Sequence, residues 1–191
     1  MLYKTTKRLI DIFFAITFFC LTLPLWFFIY FIVKFTSQGP FIHWSKRIGK
    51  NNTIFLMPKI RTMKISAPQI ATHLLSNPDK YLTSFGSLLR KTSLDELPQV
   101  WSILLGDMSV VGPRPALYNQ HDLTEYRKSL GIDKLIPGLT GWAQINGRDD
   151  LEIKNKVDLD FFYLNNQSFF LDVKIIFLTF FVFFNKKNIK H

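Results

Sequence analysis

The sequence predicts a small α/β domain, mostly helical, carried on an N-terminal membrane helix. Three observations point there. The chain has 191 residues, enough for one cored domain plus an appendage. Apolar residues make up 48% of it, and the excess gathers in one block near each end. Between those blocks the sequence reads as an ordinary globular one, with strand runs and a proline-started helix. Residues 1–36 are expected to form the membrane element. Residues 37–191 are expected to form the functional domain, with an interfacial C-terminal segment.

Charge and cysteine content narrow the classes. A formal net charge of +10 suits nucleic acid, an anionic membrane surface or phosphorylated substrates. The single cysteine, Cys20, excludes an internal disulfide framework and fits a reducing compartment. Four scattered histidines without Cys/His spacing argue against structural zinc.

The first element is the run "LIDIFFAITFFCLTLPLWFFIYFIV", Leu9 to Val33. As a helix it reaches roughly 37 Å, enough to cross a hydrocarbon core of about 30 Å. Pro24 falls near its middle, where it removes a helical hydrogen bond and kinks or breaks the helix. Basic residues flank both ends: Lys4, Lys7 and Arg8 before, Lys34, Lys46, Arg47 and Lys50 after. Both ends therefore prefer the cytoplasmic side. A helix–break–helix hairpin satisfies both facts, and a kinked transmembrane helix is the alternative. Arg8 and Asp11, one turn apart, can pair at the interface and ease the entry of Asp11 into an apolar segment.

"TIFLMPKIRTM", Thr53 to Met63, reads as a strand pair or a bulged strand interrupted at Pro58. In an extended segment Lys59 and Arg61 share one face, where they could hold a diphosphate or form a solvated edge. In "TSLDELPQVWSILLG", Pro98 and Gly106 bracket a helix, with proline at its first position and glycine just past its end. Asp95 and Glu96 then lie beside its positive end, which keeps carboxylates ionised. Ser93 and Glu96 also have capping-box spacing, which accounts for Glu96 but gives Asp95 no role.

In "SVVGPRP", Val110 and Val111 end a short strand, and prolines on both sides of Arg114 fix the chain. An arginine held this rigidly suits bidentate phosphate binding, since little entropy is lost on contact. "PGLTGWAQINGR", Pro137 to Arg148, reads as a glycine-rich loop in which Trp142 either stacks on a ligand or packs in the core. The tail "SFFLDVKIIFLTFFVFF" either buries in the domain or lies in the membrane interface as an amphipathic helix.

Taken together, "KRLID", "KIRTM", "LLRKTSLDELPQVW", "GDMSVVGPRP", "PGLTGWAQINGR" and "DLDFFYLNNQSFFLDVKIIFLT" resemble the small monotopic phosphoglycosyl transferases, the bacterial sugar transferase family. The likeness runs from about Lys7 to Thr179. It implies transfer of a sugar phosphate from a UDP-sugar to undecaprenyl phosphate, with release of UMP and Mg²⁺ as cofactor. By the same resemblance Asp95 is the nucleophile, Glu96 completes the dyad, and both hold the metal. Lys59, Arg61, Arg90, Arg114 and Arg148 are the implied substrate-binding cations.

The resemblance also implies a re-entrant helix anchored around Arg8, Asp11 and Pro24, on the cytoplasmic face of the bacterial inner membrane. The family breaks this helix at a Ser-Pro pair; here the pair is Leu23-Pro24, with Thr22 as the nearby hydroxyl. Ile60 stands where the family has phenylalanine. The implied partners are the UDP-sugar, undecaprenyl phosphate and the membrane, with a homodimer left open and nucleic acid excluded. Against this stand a membrane-anchored basic binding module and a catalytically inactive scaffold. The first leaves the Asp-Glu pair and the proline-locked arginine unexplained, and the intact Asp95, Glu96 and Arg114 argue against the second.

Overall fold

Helix α1 (Leu2–Thr36) runs as one helix through Pro24 in the computed structural model, which describes residues 2–68, 77–147 and 151–184. By length and composition it can cross a membrane. The break into two helices expected at Pro24 does not occur. The proline removes one backbone donor, and the turns on either side keep the helix going. Thr22 Oγ1 donates to the Phe18 carbonyl at 2.7 Å and accepts from Trp26 Nε1 at 3.2 Å, bracing the face opposite the exposed residues.

That face is a stripe. Asp11, Ala15, Ile29 and Val33 are buried, with Phe18, Thr22 and Trp26 half-buried between them, a spacing of three and four residues throughout. Ala15 joins the main core, while Ile29 and Val33 join a second cluster with Ile60, Leu89 and Leu97. Phe18 and Trp26, on opposite sides of Pro24, pack against both clusters. So both halves of α1 are seated on the same domain.

Strands β1 (Ile42–Ile48) and β2 (Ile54–Ile60) form an antiparallel pair in which Trp44 faces Pro58. β2 is therefore continuous through Pro58, contrary to the expected interruption. In a two-stranded sheet every strand has a free edge, and a proline can sit there without losing a ladder bond. The turn between the strands carries Asn51 and Asn52 in the left-handed region, which asparagine tolerates.

Helix α2 (Gly86–Lys91), a one-turn 3₁₀ helix over Leu94–Glu96 and helix α3 (Gln99–Leu105) follow. Pro98 lies just before the first residue of α3, and Gly106 ends the helix at φ 97°, where a side chain would be strained. Strand β3 (Ser109–Val111) pairs in parallel with β4 (Gly138–Thr140), and helix α4 (His121–Ser129) lies between them in sequence. A Cβ at Gly138 would collide with the Gly112 nitrogen, so the close approach of these two loops requires glycine.

Helices α5 (Trp142–Ile145), α6 (Ile153–Asn165) and α7 (Phe169–Phe184) complete the fold. The main core joins Ile103 and Val100 of α3, Met108, Val110, Val111, Tyr163 of α6 and Ile175 of α7. Each such side chain contributes roughly 1.5–3 kcal/mol by leaving water. α7 buries Asp172 and Ile175 on one side and exposes Phe170, Val173, Phe177 and Phe181 on the other. Phe170 is 83% exposed. One side of α7 thus joins the core and the other is an exposed apolar stripe.

Trp142 stacks on Phe162 at 5.2 Å, with Lys174 Nζ 5.7 Å from its ring, and packs against the main core. Of the two readings of this tryptophan, the packing one holds.

Candidate active site

Asp95 and Glu96 sit in the 3₁₀ turn between α2 and α3. Ser93, just before them, takes a left-handed backbone at φ 53°, a conformation that costs a non-glycine residue about 1–2 kcal/mol. It stops α2 and redirects the chain so that the two acids face β2 and the Gly112–Pro115 loop. Ser93 makes no side-chain cap bond, and the Glu96 carboxylate does not reach back to it. The capping-box reading of Glu96 therefore fails.

Instead Glu96 is clamped by two cations. Lys59 Nζ and Arg114 Nη2 each lie 2.9 Å from Glu96 Oε1. Burial works to raise the Glu96 pKa. The Arg114 and Lys59 charges and their hydrogen bonds outweigh it, holding the carboxyl well below the usual carboxylate range. Asp95, only 7% exposed, is pushed the other way. Burial raises its pKa first, and the neighbouring Glu96 adds to that, while Lys59, Arg90 and Arg114 pull it back. Two adjacent acids thus have opposite shifts, the pattern of a pair with divided roles.

Arg90 comes from α2, and its Nε donates to Thr62 Oγ1 at 3.0 Å. Burial lowers its pKa and the Asp95 charge raises it. Lys59 and Arg61 do not face one ligand together. Arg61 lies beyond the end of β2, is 5% exposed, and donates from Nη2 to the Ser37 carbonyl and to Ser37 Oγ at 3.1 and 2.9 Å. Arg61 ties the end of α1 to β2, whereas Lys59 reaches the acid pair. Arg148 lies outside the described residues.

The anchor residues also find other partners than expected. Arg8 donates to the carbonyls of Ile103 and Leu104 at 2.6 and 2.8 Å, satisfying the open C-terminal end of α3. Asp11, 4% exposed, accepts from Ser109 Oγ and the Val110 backbone N–H at 3.1 and 2.9 Å. Asp11 gives the buried Val110 N–H its acceptor and Arg8 meets carbonyls at the end of α3, contacts that outcompete a weak pair between the two side chains.

The loop carrying Arg114 is held along its whole main chain. The carbonyls of Pro113, Arg114, Pro115 and Ala116 accept, in turn, from Gly138 N, Arg127 Nη1, Arg47 Nη1 and Ile48 N, at 2.9, 2.9, 3.1 and 2.9 Å. Sequence reasoning reached the rigidity of this loop but missed Arg47, Arg127 and Asp160. A signal for Asp160 was present: it lies three residues after Val157 and three before Tyr163, on the apolar face of its helix.

Asp95 is buried and Glu96 half-buried, and the pair, with opposed electrostatics, is set among Lys59, Arg90 and Arg114. The sequence profile described as bacterial sugar transferase matches residues 2–186, and the chain belongs to that family of enzymes. Its relatives include EpsL of Bacillus subtilis strain 168, called an uncharacterized sugar transferase. It is 41% identical over 91% of this chain and 84% of its own length. The exopolysaccharide production protein ExoY of Rhizobium meliloti strain 1021 is 36% identical over 91% of the chain and 83% of its own length. The Escherichia coli K12 UDP-glucose:undecaprenyl-phosphate glucose-1-phosphate transferase is 37% identical over 96% of this chain but only 41% of its own length.

Proposed function

We propose that this enzyme transfers a sugar 1-phosphate from a UDP-sugar to undecaprenyl phosphate, releasing UMP, and so starts the assembly of a bacterial surface glycan. The observation that carries the reading is Asp95, buried beside an already neutralised Glu96 and within the fields of Lys59, Arg90 and Arg114. The names of the relatives support the acceptor. Among them are transferases named for glucose, galactose and N-acetylgalactosamine phosphate. Because those sugars differ, membership of the family leaves the sugar open.

In the first step an oxygen of the Asp95 carboxylate attacks the β-phosphorus of the UDP-sugar. The bond from that phosphorus to the bridging oxygen breaks, UMP leaves, and Asp95 carries the sugar phosphate. In the second step an oxygen of undecaprenyl phosphate attacks the same phosphorus and the bond to Asp95 breaks, restoring the carboxylate. A covalent intermediate splits one transfer between two bulky substrates into two easier ones. Lys59 and Arg114 neutralise Glu96, so the second acid does not repel the incoming diphosphate. The main-chain clamp on the Pro113–Ala116 loop means that Arg114 loses little freedom on meeting phosphate.

The donor set fits Mg²⁺. Two adjacent carboxylates stand beside the cations, and the described residues contain no group of three or more His, Cys, Asp or Glu side chains. An ion held by one or two carboxylates, with phosphate oxygens and water completing its shell, suits that pattern. Asp95 and Glu96 would hold it, and when bound it supplies positive charge against the two phosphates.

The seating of α1 supports a re-entrant helix on the cytoplasmic face of the inner membrane. Arg8 and Val33 stand near opposite ends of the apolar run, roughly 37 Å apart along the helix. Yet Arg8 bonds the end of α3, while Val33 packs with Leu97 and Ile60 of the same domain. The exposed aromatic stripe of α7 adds a surface suited to lie in the interface.

The test is UMP release from a panel of UDP-sugars with undecaprenyl phosphate and Mg²⁺, comparing wild type with Asp95→Asn. Release with one or more sugars, lost in the variant, supports the reading. Silence across the panel from folded protein refutes the substrate assignment.

A further inference from the structure

Four donors among the described residues hold the main-chain carbonyls of the Arg114 loop, and two of them are side chains. One, Arg127, is itself held from behind. It lies on α4, is buried, and directs Nε and Nη2 at Asp160 Oδ2 at 3.0 and 2.6 Å. Its remaining nitrogen, Nη1, donates to the Arg114 carbonyl at 2.9 Å. Asp160, on α6, is 1% exposed. A fully buried ion pair is a poor source of stability, because the cost of desolvating both groups offsets most of their attraction. Its geometry here is that of a strut. A rigid guanidinium fork spans from α6 to the backbone of Arg114, one of the two residues whose side chains clamp Glu96.

We infer that Arg127, oriented by Asp160, is a positioning residue for the transfer reaction: it fixes the Arg114 main chain and through it the Arg114 guanidinium at the acid pair. The inference rests on the proposed transferase reading. Neither Arg127 nor Asp160 touches the dyad in the contacts described, so their influence passes through Arg114. Arg47 holds the neighbouring Pro115 carbonyl from β1, so the loop stays attached when Arg127 is lost and the expected change is in aim rather than in folding. An error in aim of about 1 Å is worth up to roughly a hundredfold in rate.

The experiment is a double-mutant cycle on the full-length enzyme in detergent, read by UMP release and by melting temperature. Arg127→Ala alone leaves Asp160 buried and uncompensated, and can unfold the protein. The working variant is therefore Arg127→Met with Asp160→Asn, which removes both charges and keeps the volume. The strut predicts a folded protein whose kcat/KM falls about ten- to a hundredfold. In an Arg114→Ala background the same replacement should change kcat/KM by less than about twofold, because its effect is already spent. Arg127→Lys should recover only part of the loss, since one ammonium cannot serve Asp160 and the Arg114 carbonyl with the fork's geometry.

Unchanged kcat/KM in the folded double variant overturns the inference. So does a loss of equal size with and without Arg114, which would mean general damage. If wild type releases no UMP, the transferase reading fails instead. The strut is then judged by hydrogen exchange of peptides spanning residues 111–118 in the double variant: faster exchange there, and not over 99–105, upholds it, and unchanged protection refutes it.

Discussion

Lys59 Nζ and Glu96 Oε1 lie 2.9 Å apart, and that contact ties strand β2 to the acid pair across 37 residues of sequence. It lets Glu96 stay charged beside the buried Asp95. The electrostatics of the whole site follow from it, and from the matching contact with Arg114.

If Asp95 is the nucleophile, Asp95→Asn keeps the shape of the site and loses the reaction. The expected fall in UMP release is on the order of 10⁴-fold or more, the scale seen when a covalent nucleophile is removed. Intact mass spectrometry of wild type with UDP-sugar alone should show a sugar-phosphate adduct that the variant lacks. An adduct on the variant, or near-normal turnover, excludes the covalent route through Asp95.

The pH profile has a sign that can be worked out. Burial, then Glu96, raise the Asp95 pKa, and the reactive form is the carboxylate. Activity is therefore lost as pH falls through a value above the ordinary one of about 3.9. Glu96→Gln removes a raising charge and should move the acid limb of kcat/KM to lower pH. Lys59→Met removes the foremost lowering charge and should move it higher. Shifts in the same direction would count against this account of the site.

Asp11 is expected to matter for folding rather than chemistry. Asp11→Ala leaves the Val110 N–H buried without its acceptor, at a cost of about 1–3 kcal/mol. That corresponds to a fall of several degrees in melting temperature for a chain of this size. Asp11→Asn keeps an acceptor oxygen and should cost less. Equal melting temperatures for Asp11→Ala and wild type in a detergent thermal-shift assay would refute the role.

The placement of α1 is tested by labelling. With Cys20→Ala as background, single cysteines at Lys4 and Gln38 should both react from the cytoplasmic side in inverted vesicles, and neither from outside in intact cells. Labelling of one of them from outside establishes a span.

Some of this was legible in the residues. Pro98 and Gly106 placed helix α3 within a residue, because proline and glycine act on the backbone where they stand. The two prolines around Arg114 foretold a rigid loop. Other features were not legible. β1 carried no signal as strong as that of β2, and their pairing is visible only in the register of Trp44 with Pro58. Arg61 read as a partner of Lys59 because alternation puts them on one face. The strand ends at Ile60, however, so the rule no longer applies to Arg61. Trp142 could have stacked on a ligand or on protein until Phe162, from another helix, filled the place.

By itself, the sequence determined the chemical parts: two adjacent acids, a surplus of cations, a proline-locked arginine and an apolar helix long enough for a membrane. These follow from residue identity and from local backbone preference. Only the tertiary structure decided which cation meets which acid, that Arg8 caps α3 while Asp11 serves β3, and that Arg127 braces the Arg114 loop. Those choices depend on burial and on groups brought together across 13 to 99 residues of chain. Spacing along the sequence carries no record of distances that only packing creates.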